Sequence, residues 1–247
     1  MLESLQNHLG ERLDFAFHEG RSDASSLVVI GHGVTANKDR PFVTALAEAL
    51  STAGVPTLRL SFAGNGESEG RFEDSCISKE VDELGAVLDQ VEAALGDRRA
   101  RTEIYFVGHS MGGAVGVLRA ASDQRISRLV SLAGMVATGE FCDRKFGDLT
   151  PGQDLMWDKP ECPLSQTYVD DLHGIGSTIG QAREIQIPWL LVHGDADTVV
   201  PIRDSEEAAA QGSRTQLVTL PGVDHVFSDG GTQAMVDTVV PFLTQLD

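Results

Sequence analysis

The ten residues Ile104-Tyr105-Phe106-Val107-Gly108-His109-Ser110-Met111-Gly112-Gly113 constrain this chain more than any other stretch. A β-prone apolar run meets a glycine, a serine follows two residues later, and small residues suited to a helix come next. This is G-x-S-x-G between a strand and a helix, and it predicts that Ser110 sits on a very tight connection with strained backbone. Glycines two before and two after the serine let neighbouring backbone come close. The hydroxyl is then held up at the edge of a sheet, at the positive end of the following helix.

The rest of the chain predicts that sheet. Leu27-Val28-Val29-Ile30 is a continuous apolar run ending at Gly31, as expected of a parallel strand buried on both faces. Leu13, Phe15 and Phe17 alternate with polar or small neighbours, the pattern of a half-buried strand. Further strands are expected over 55–62, 103–107, 126–132, 187–192 and 215–220. Residues 41–53 read as a helix, with Pro41 at its start and Gly54 just past its end. Ile77, Val81, Leu84, Leu88, Val91 and Leu95 recur at three- or four-residue steps, one face of a long amphipathic helix. Residues 112–121 and 232–246 also read as helices, the second with a kink or break at Pro241. Strands alternating with helices imply βαβ units. The expected fold class is therefore α/β, a mostly parallel central sheet with helices on both faces, in a single domain over residues 1–247.

Residues 135–184 break this rhythm. They are rich in Asp, Gly and Pro and carry the scattered aromatics Phe141, Phe146, Trp157 and Tyr168. A stretch of roughly fifty residues is too long for an ordinary connection. It is expected to be a cap insertion over the carboxyl ends of the strands.

Charge and cysteine content narrow the partners. Nineteen Lys and Arg stand against 37 Asp and Glu, a formal net charge of −18. A nucleic-acid binder needs cations to neutralise phosphates, so DNA and RNA are excluded as expected partners. An acidic membrane surface would repel such a chain, and no window approaches a membrane-spanning length of apolar residues. The charge reads first as a solvated, self-repelling surface, and second as a field that attracts cationic substrates. Cys76, Cys142 and Cys162 are odd in number and not closely spaced, against a disulfide framework or zinc knuckle. The first twenty residues show no signal-peptide pattern, and a cytoplasmic location is the default expectation.

A serine hydroxyl is a poor nucleophile until a base takes its proton, and the base is held in the correct tautomer by a carboxylate. After a strand-turn-helix serine of this kind the chain order is serine, acid, histidine. Val192-His193-Gly194-Asp195-Ala196-Asp197-Thr198-Val199-Val200-Pro201 follows a strand, and so does Leu220-Pro221-Gly222-Val223-Asp224-His225. His225 is the expected base because it holds the required place. Asp197 lies deeper in its loop than Asp195 and is the expected acid, with Asp195 left to bond backbone amides. Attack on a carbonyl builds charge on its oxygen, which two backbone N–H groups must meet. One is expected from Met111, after the serine. The other is expected from Val34, in the loop Gly31-His32-Gly33-Val34-Thr35-Ala36-Asn37. His32 and His109 read as braces of these turns, although His32 and Trp157 are also candidate substrate contacts. No metal or organic cofactor is expected.

These segments, spread over almost the whole chain, look like the α/β-hydrolase superfamily. Gly33-Val34-Thr35-Ala36-Asn37-Lys38, Phe62-Ala63-Gly64-Asn65-Gly66-Glu67-Ser68-Glu69-Gly70, the Ser110 segment and Asp224-His225-Val226-Phe227-Ser228 resemble the small bacterial cinnamoyl and feruloyl esterases. The resemblance implies a carboxylic ester hydrolase with a Ser110–His225–Asp197 triad, oxyanion amides at Val34 and Met111, and a small cap where the excursion lies. Asn65 stands where many members carry a second histidine, and the excursion itself contributes no matching residues. The expected partner is a small-molecule ester, and a homodimer is allowed. A peptidase or thioesterase on the same triad is the alternative chemistry, and a non-catalytic binding protein on this fold is the alternative class.

Overall fold

The computed structural model describes residues 2–245. Seven strands form the central sheet in the order β3-β5-β4-β6-β7-β8-β9. They are β3 (Phe15–His18), β4 (Ser26–Gly31), β5 (Thr57–Leu60), β6 (Glu103–His109), β7 (Ile126–Leu132), β8 (Trp189–Gly194) and β9 (Thr215–Leu220). Only β3 runs against its neighbour, and β4 to β9 are parallel. A separate pairing joins the two-residue strands β1 (Leu5–Gln6) and β2 (Arg12–Leu13). The α/β expectation holds.

The apolar runs form central strands because both of their faces are covered. Leu27 and Val29 join one core with Phe106, Leu129 and Leu191, while Val28 and Ile30 join another with Val107, Val130 and Val192. Helices α1 (Pro41–Thr52) and α8 (Gly231–Thr244) close the second core with Phe42, Leu46, Leu50, Met235 and Val239. Helices α2 (Ile77–Leu95) and α3 (Met111–Ala120) close the first. The α2 face read from the sequence is the buried one, with Ile77, Leu84, Leu88, Val91 and Leu95 inside and Val81 at its margin. At about 25 cal/mol per Å² of apolar area removed from water, each such side chain contributes roughly 2 kcal/mol.

Two expectations change. Helix α8 runs unbroken through Pro241, which sits in its last turn. There the proline removes one amide bond near a fraying end, and Gln245 N still donates to Pro241 O at 3.0 Å. Leu246, the expected end of this helix, lies outside the described residues. Residues 135–184 are also more regular than their composition suggests. Between β7 and β8 they form α4 (Thr138–Phe146), α5 (Gln166–Ile175) and the single turn α6 (Ile179–Ala182). These helices are too short to show a period, yet they bury Phe141, Phe146, Tyr168 and Leu172 in the same core as α2. Helix α7 (Ile202–Gln211) follows β8 and anchors the start of the excursion, because the Val136 and Ala137 amides both donate to the buried Asp204 carboxylate at 3.2 Å.

A pair of acids lies inside this core. Glu83 accepts from Asn7 Nδ2 at 2.9 Å and from Ala63 N at 3.0 Å, which ties α2 to the chain leaving β5. Among the described residues Glu80 accepts only from Ser75 Oγ, at 3.1 Å, and its second oxygen has no partner. Burial first, then repulsion from Glu83, pushes the Glu80 carboxyl well above its usual range. A carboxyl raised in this way keeps its proton to a higher pH in the folded chain than in the unfolded one. Its stability penalty is absent below the unfolded value near pH 4 and grows as pH rises above it. Glu80→Gln reproduces the neutral form. It should raise the melting temperature by about 2–4 °C at pH 7, as a gain of about 1 kcal/mol does in a domain of this size. Melting curves at pH 7 and pH 4 check this, because the gain must vanish at the lower pH.

Candidate active site

Ser110 joins β6 to α3 with φ 53° and ψ −117°, a left-handed conformation that serine rarely adopts. Its backbone is pinned on both sides. Ser110 N donates to Leu132 O at 2.9 Å, and Met135 N donates to Ser110 O at 3.0 Å. The flanking glycines are required by contact. A Cβ on Gly108 would stand 2.0 Å from the Gly112 carbonyl oxygen, and one on Gly112 would stand 2.5 Å from that of His32. The loop after β4 passes just as close, since a Cβ on Gly33 would meet Ser110 Cβ at 2.8 Å. G-x-S-x-G and the glycine of that loop are thus two halves of one steric fit.

The loop after β8 carries Asp197, whose carboxylate is fully buried. One oxygen accepts from the Val199 and Val200 amides at 2.7 and 2.9 Å. The other accepts from His225 Nδ1 at 2.7 Å and lies 3.2 Å from His193 Nε2. Burial acts to raise this carboxyl, but the hydrogen bonds from His193 and His225 and the His225 charge outweigh it and hold it below the usual carboxylate range. His193 Nε2 faces two acceptors, Asp197 and Val200 O, so it carries the proton and its Nδ1 accepts from Ser205 Oγ at 2.7 Å. Asp195 accepts instead from the Gly222 amide at 2.6 Å. His193, expected from the sequence to pack or hydrogen-bond at the end of its strand, is a support of the acid, and Ser205 is one that the sequence reading did not assign. Their position, at the end of β8 and one turn into α7, was the available signal.

The loop after β9 is built to leave His225 at the surface of the core. Phe227, fully buried at φ 55°, packs against Phe42 with ring centroids 5.5 Å apart. Asp224 closes the turn by accepting from Ser228 N at 2.8 Å. His109 Nε2 donates to the His225 carbonyl at 2.9 Å, and the two rings lie 4.8 Å apart. Burial, then the neighbouring His225, keeps His109 neutral by lowering it well below the usual imidazole range.

Ser110, His109 and His225 line one cavity of about 160 Å³ with Val34, Thr35, Val199, Val226, Trp157, Arg40 and Lys159. Met111 is the first residue of α3, so its amide has no acceptor within the helix. Trp157 is 40% exposed, at φ 50°, with its ring edge-on to Phe146 at 4.9 Å. The proposed contact at His32 is corrected. His32 is buried, donates from Nδ1 to Gly33 O at 2.8 Å, and accepts the Phe62 amide on Nε2 at 3.0 Å. Both nitrogens are used, it does not line the cavity, and burial lowers it to about 4. It braces the two loops. The sequence reading did not single out Arg40 or Lys159. The excursion holds the acid loop as well, through Arg144 to Val199 O at 3.2 Å and Lys145 to Thr198 O at 2.8 Å.

A parallel sheet with a strained serine between β6 and α3, and a buried Asp–His pair beyond β8 and β9, defines an α/β-hydrolase fold. The chain belongs to the alpha/beta hydrolase fold family, whose model matches residues 26–160. Among solved structures it is similar to Est1E from Butyrivibrio proteoclasticus with ferulic acid bound, at 26% identity and a TM-score of 0.85 over 98% of each chain. The esterase domain of a Rhodothermus marinus protein shares the fold, at 21% identity and a TM-score of 0.73 over 97% of this chain and 95% of that one. The protein YfhR of Salmonella typhimurium is 24% identical over 238 residues, 90% of this chain and 72% of that protein. No helix among the described residues is long and apolar enough to cross a membrane.

Proposed function

We propose that this protein hydrolyses carboxylic esters through Ser110, His225 and Asp197, on short acyl or aryl esters of the feruloyl and cinnamoyl type. One observation carries the reading. The Asp197 carboxylate accepts His225 Nδ1–H at 2.7 Å while His225 and the positive-φ Ser110 line the same cavity. A carboxylate on Nδ1 leaves Nε2 unprotonated, free to take a proton from a hydroxyl. Family membership and the likeness to a ferulic-acid-bound protein support the ester class. Trp157 offers an aromatic face for an aryl group.

The reaction is a two-step acyl transfer. His225 takes the Ser110 proton as Oγ attacks the ester carbonyl, and the Val34 and Met111 amides receive the oxyanion. His225 then protonates the leaving alcohol. Water, deprotonated by His225, attacks the acyl-serine, and the acid departs with Ser110 restored. Residues 135–184 act as a cap over this cavity through Trp157 and Lys159.

Hydrolysis of methyl ferulate and of short p-nitrophenyl esters tests the reading, with fluorophosphonate labelling of Ser110. Cleavage of both ester types with labelling is the expected result. Cleavage of short esters alone removes the feruloyl class and keeps the chemistry. Cleavage of matched aminoacyl amides but of no ester replaces the esterase with a peptidase, and absence of labelling leaves a binding protein.

A further inference from the structure

Two cations line the cavity beside Ser110, and neither is ion-paired among the described residues. Arg40, just ahead of α1, donates from Nη2 to Thr35 O at 3.4 Å. Lys159, from the excursion, donates from Nζ to the same oxygen at 3.3 Å and to Thr35 Oγ1 at 3.4 Å. Both are half-buried, and most of their N–H groups are left over: a guanidinium has five and an ammonium three. No residue lining the cavity is acidic. Asp197 lies beneath His225 with its side chain fully buried and its oxygens occupied.

The arrangement is unusual for a chain with 37 acids and 19 bases. Most other partly buried cations have found carboxylates, although Lys145 donates to Thr198 O instead. Lys38 pairs with Asp14 and Asp39, Lys79 with Glu11 and Glu83, and Arg125 with Asp89 and Asp123. Steadying one neutral carbonyl does not require two charges that repel each other. The amino end of the α1 dipole adds positive potential of the same sign. The surplus faces the cavity.

We propose that the cavity takes esters bearing an anionic group, a carboxylate in the simplest case, which Arg40 and Lys159 hold while the ester carbonyl meets Ser110. This rests on the hydrolase reading above and narrows its substrate class. Two size-matched pairs test it: monomethyl against dimethyl adipate, with the charge on the acyl side, and 3-carboxyphenyl against 3-carbamoylphenyl acetate, with the charge on the alcohol side. The anionic member of at least one pair should have a kcat/KM about tenfold higher at low salt, the scale expected of two half-buried ion pairs. Salt should erode the preference. The double variant Arg40→Gln, Lys159→Gln keeps amide donors near Thr35 and loses both charges. It should lower kcat/KM for the anionic member about tenfold more than for the neutral one.

A neutral preference in both pairs overturns the proposal. So does an equal loss for both members in the double variant, since that is the mark of two donors that only steady the Thr35 loop. Calorimetric binding of monomethyl and dimethyl adipate to the Ser110→Ala protein separates the two readings. Anion-selective binding that the double variant abolishes, in a protein whose wild type cleaves no ester, upholds the charge site and removes the esterase. Binding without selectivity removes the charge site.

Discussion

Ser110→Ala should lower kcat/KM by roughly ten-thousandfold or more for every ester, abolish fluorophosphonate labelling, and leave the fold intact. That loss amounts to about 5.5 kcal/mol of transition-state stabilisation, far more than one hydroxyl contributes to folding. The fold survives because the turn is held by groups that the substitution keeps. The Ser110 amide and carbonyl bond Leu132 O and Met135 N, and the neighbouring glycines set the approach of the strands. Alanine accepts the φ of 53° about as poorly as serine does, so strain is nearly unchanged. Kinetics measured beside a melting curve check this. Wild-type rates in the variant would remove Ser110 from the chemistry, and a lost fold would show that the hydroxyl itself holds the turn.

Asp197→Asn should lower kcat by roughly ten-thousandfold, the scale of the same change in serine-protease triads, with KM little altered. The reason is the crowd of donors around this side chain. His225 Nδ1 and His193 Nε2 point at one oxygen, and the Val199 and Val200 amides point at the other. An amide NH2 turned either way faces two donors. On the His225 side it forces the imidazole to accept on Nδ1 and to carry its proton on Nε2, where it cannot take another from Ser110. Stability should fall as well, by roughly 2–4 kcal/mol for lost charge-assisted bonds. The pH dependence follows from the lowered Asp197 carboxyl. Its stabilisation is fully present above the unfolded value near pH 4 and is lost as pH falls further. The gap in melting temperature between wild type and variant should therefore be wide at pH 7 and shrink below pH 4. Asp195→Asn is the control. Among the described residues Asp195 accepts only the Gly222 amide, and its replacement should change kcat by less than tenfold. Equal losses in both variants would mean that the loop, not the Asp197 carboxylate, matters.

Much of the architecture was legible in one dimension because its causes are local. The helix at 77–95 and the strands at 126–132 and 215–220 match the pattern of apolar residues that marks them. G-x-S-x-G was readable for a similar reason: each glycine answers a backbone contact made within a few residues or from an adjacent strand. The chain order of serine, acid and histidine also pointed to Asp197 and His225, which the fold brings to 2.7 Å.

What escaped that reading depends on long-range packing. Helices α4 and α5 span only nine and ten residues, too few turns to declare a buried face before α2 and the core supply it. His32, on the loop that passes beside Ser110, turns inward because the Phe62 amide, 30 residues away, needs an acceptor. Lys159 reaches Thr35 across 124 residues, and nothing in a stretch such as Trp157-Asp158-Lys159-Pro160 announces where it will land. The fold class and the candidate site residues follow from short-range patterns, which sequence records directly. The electrostatics of the cavity arise where distant loops converge, and that convergence exists only once the sheet has formed.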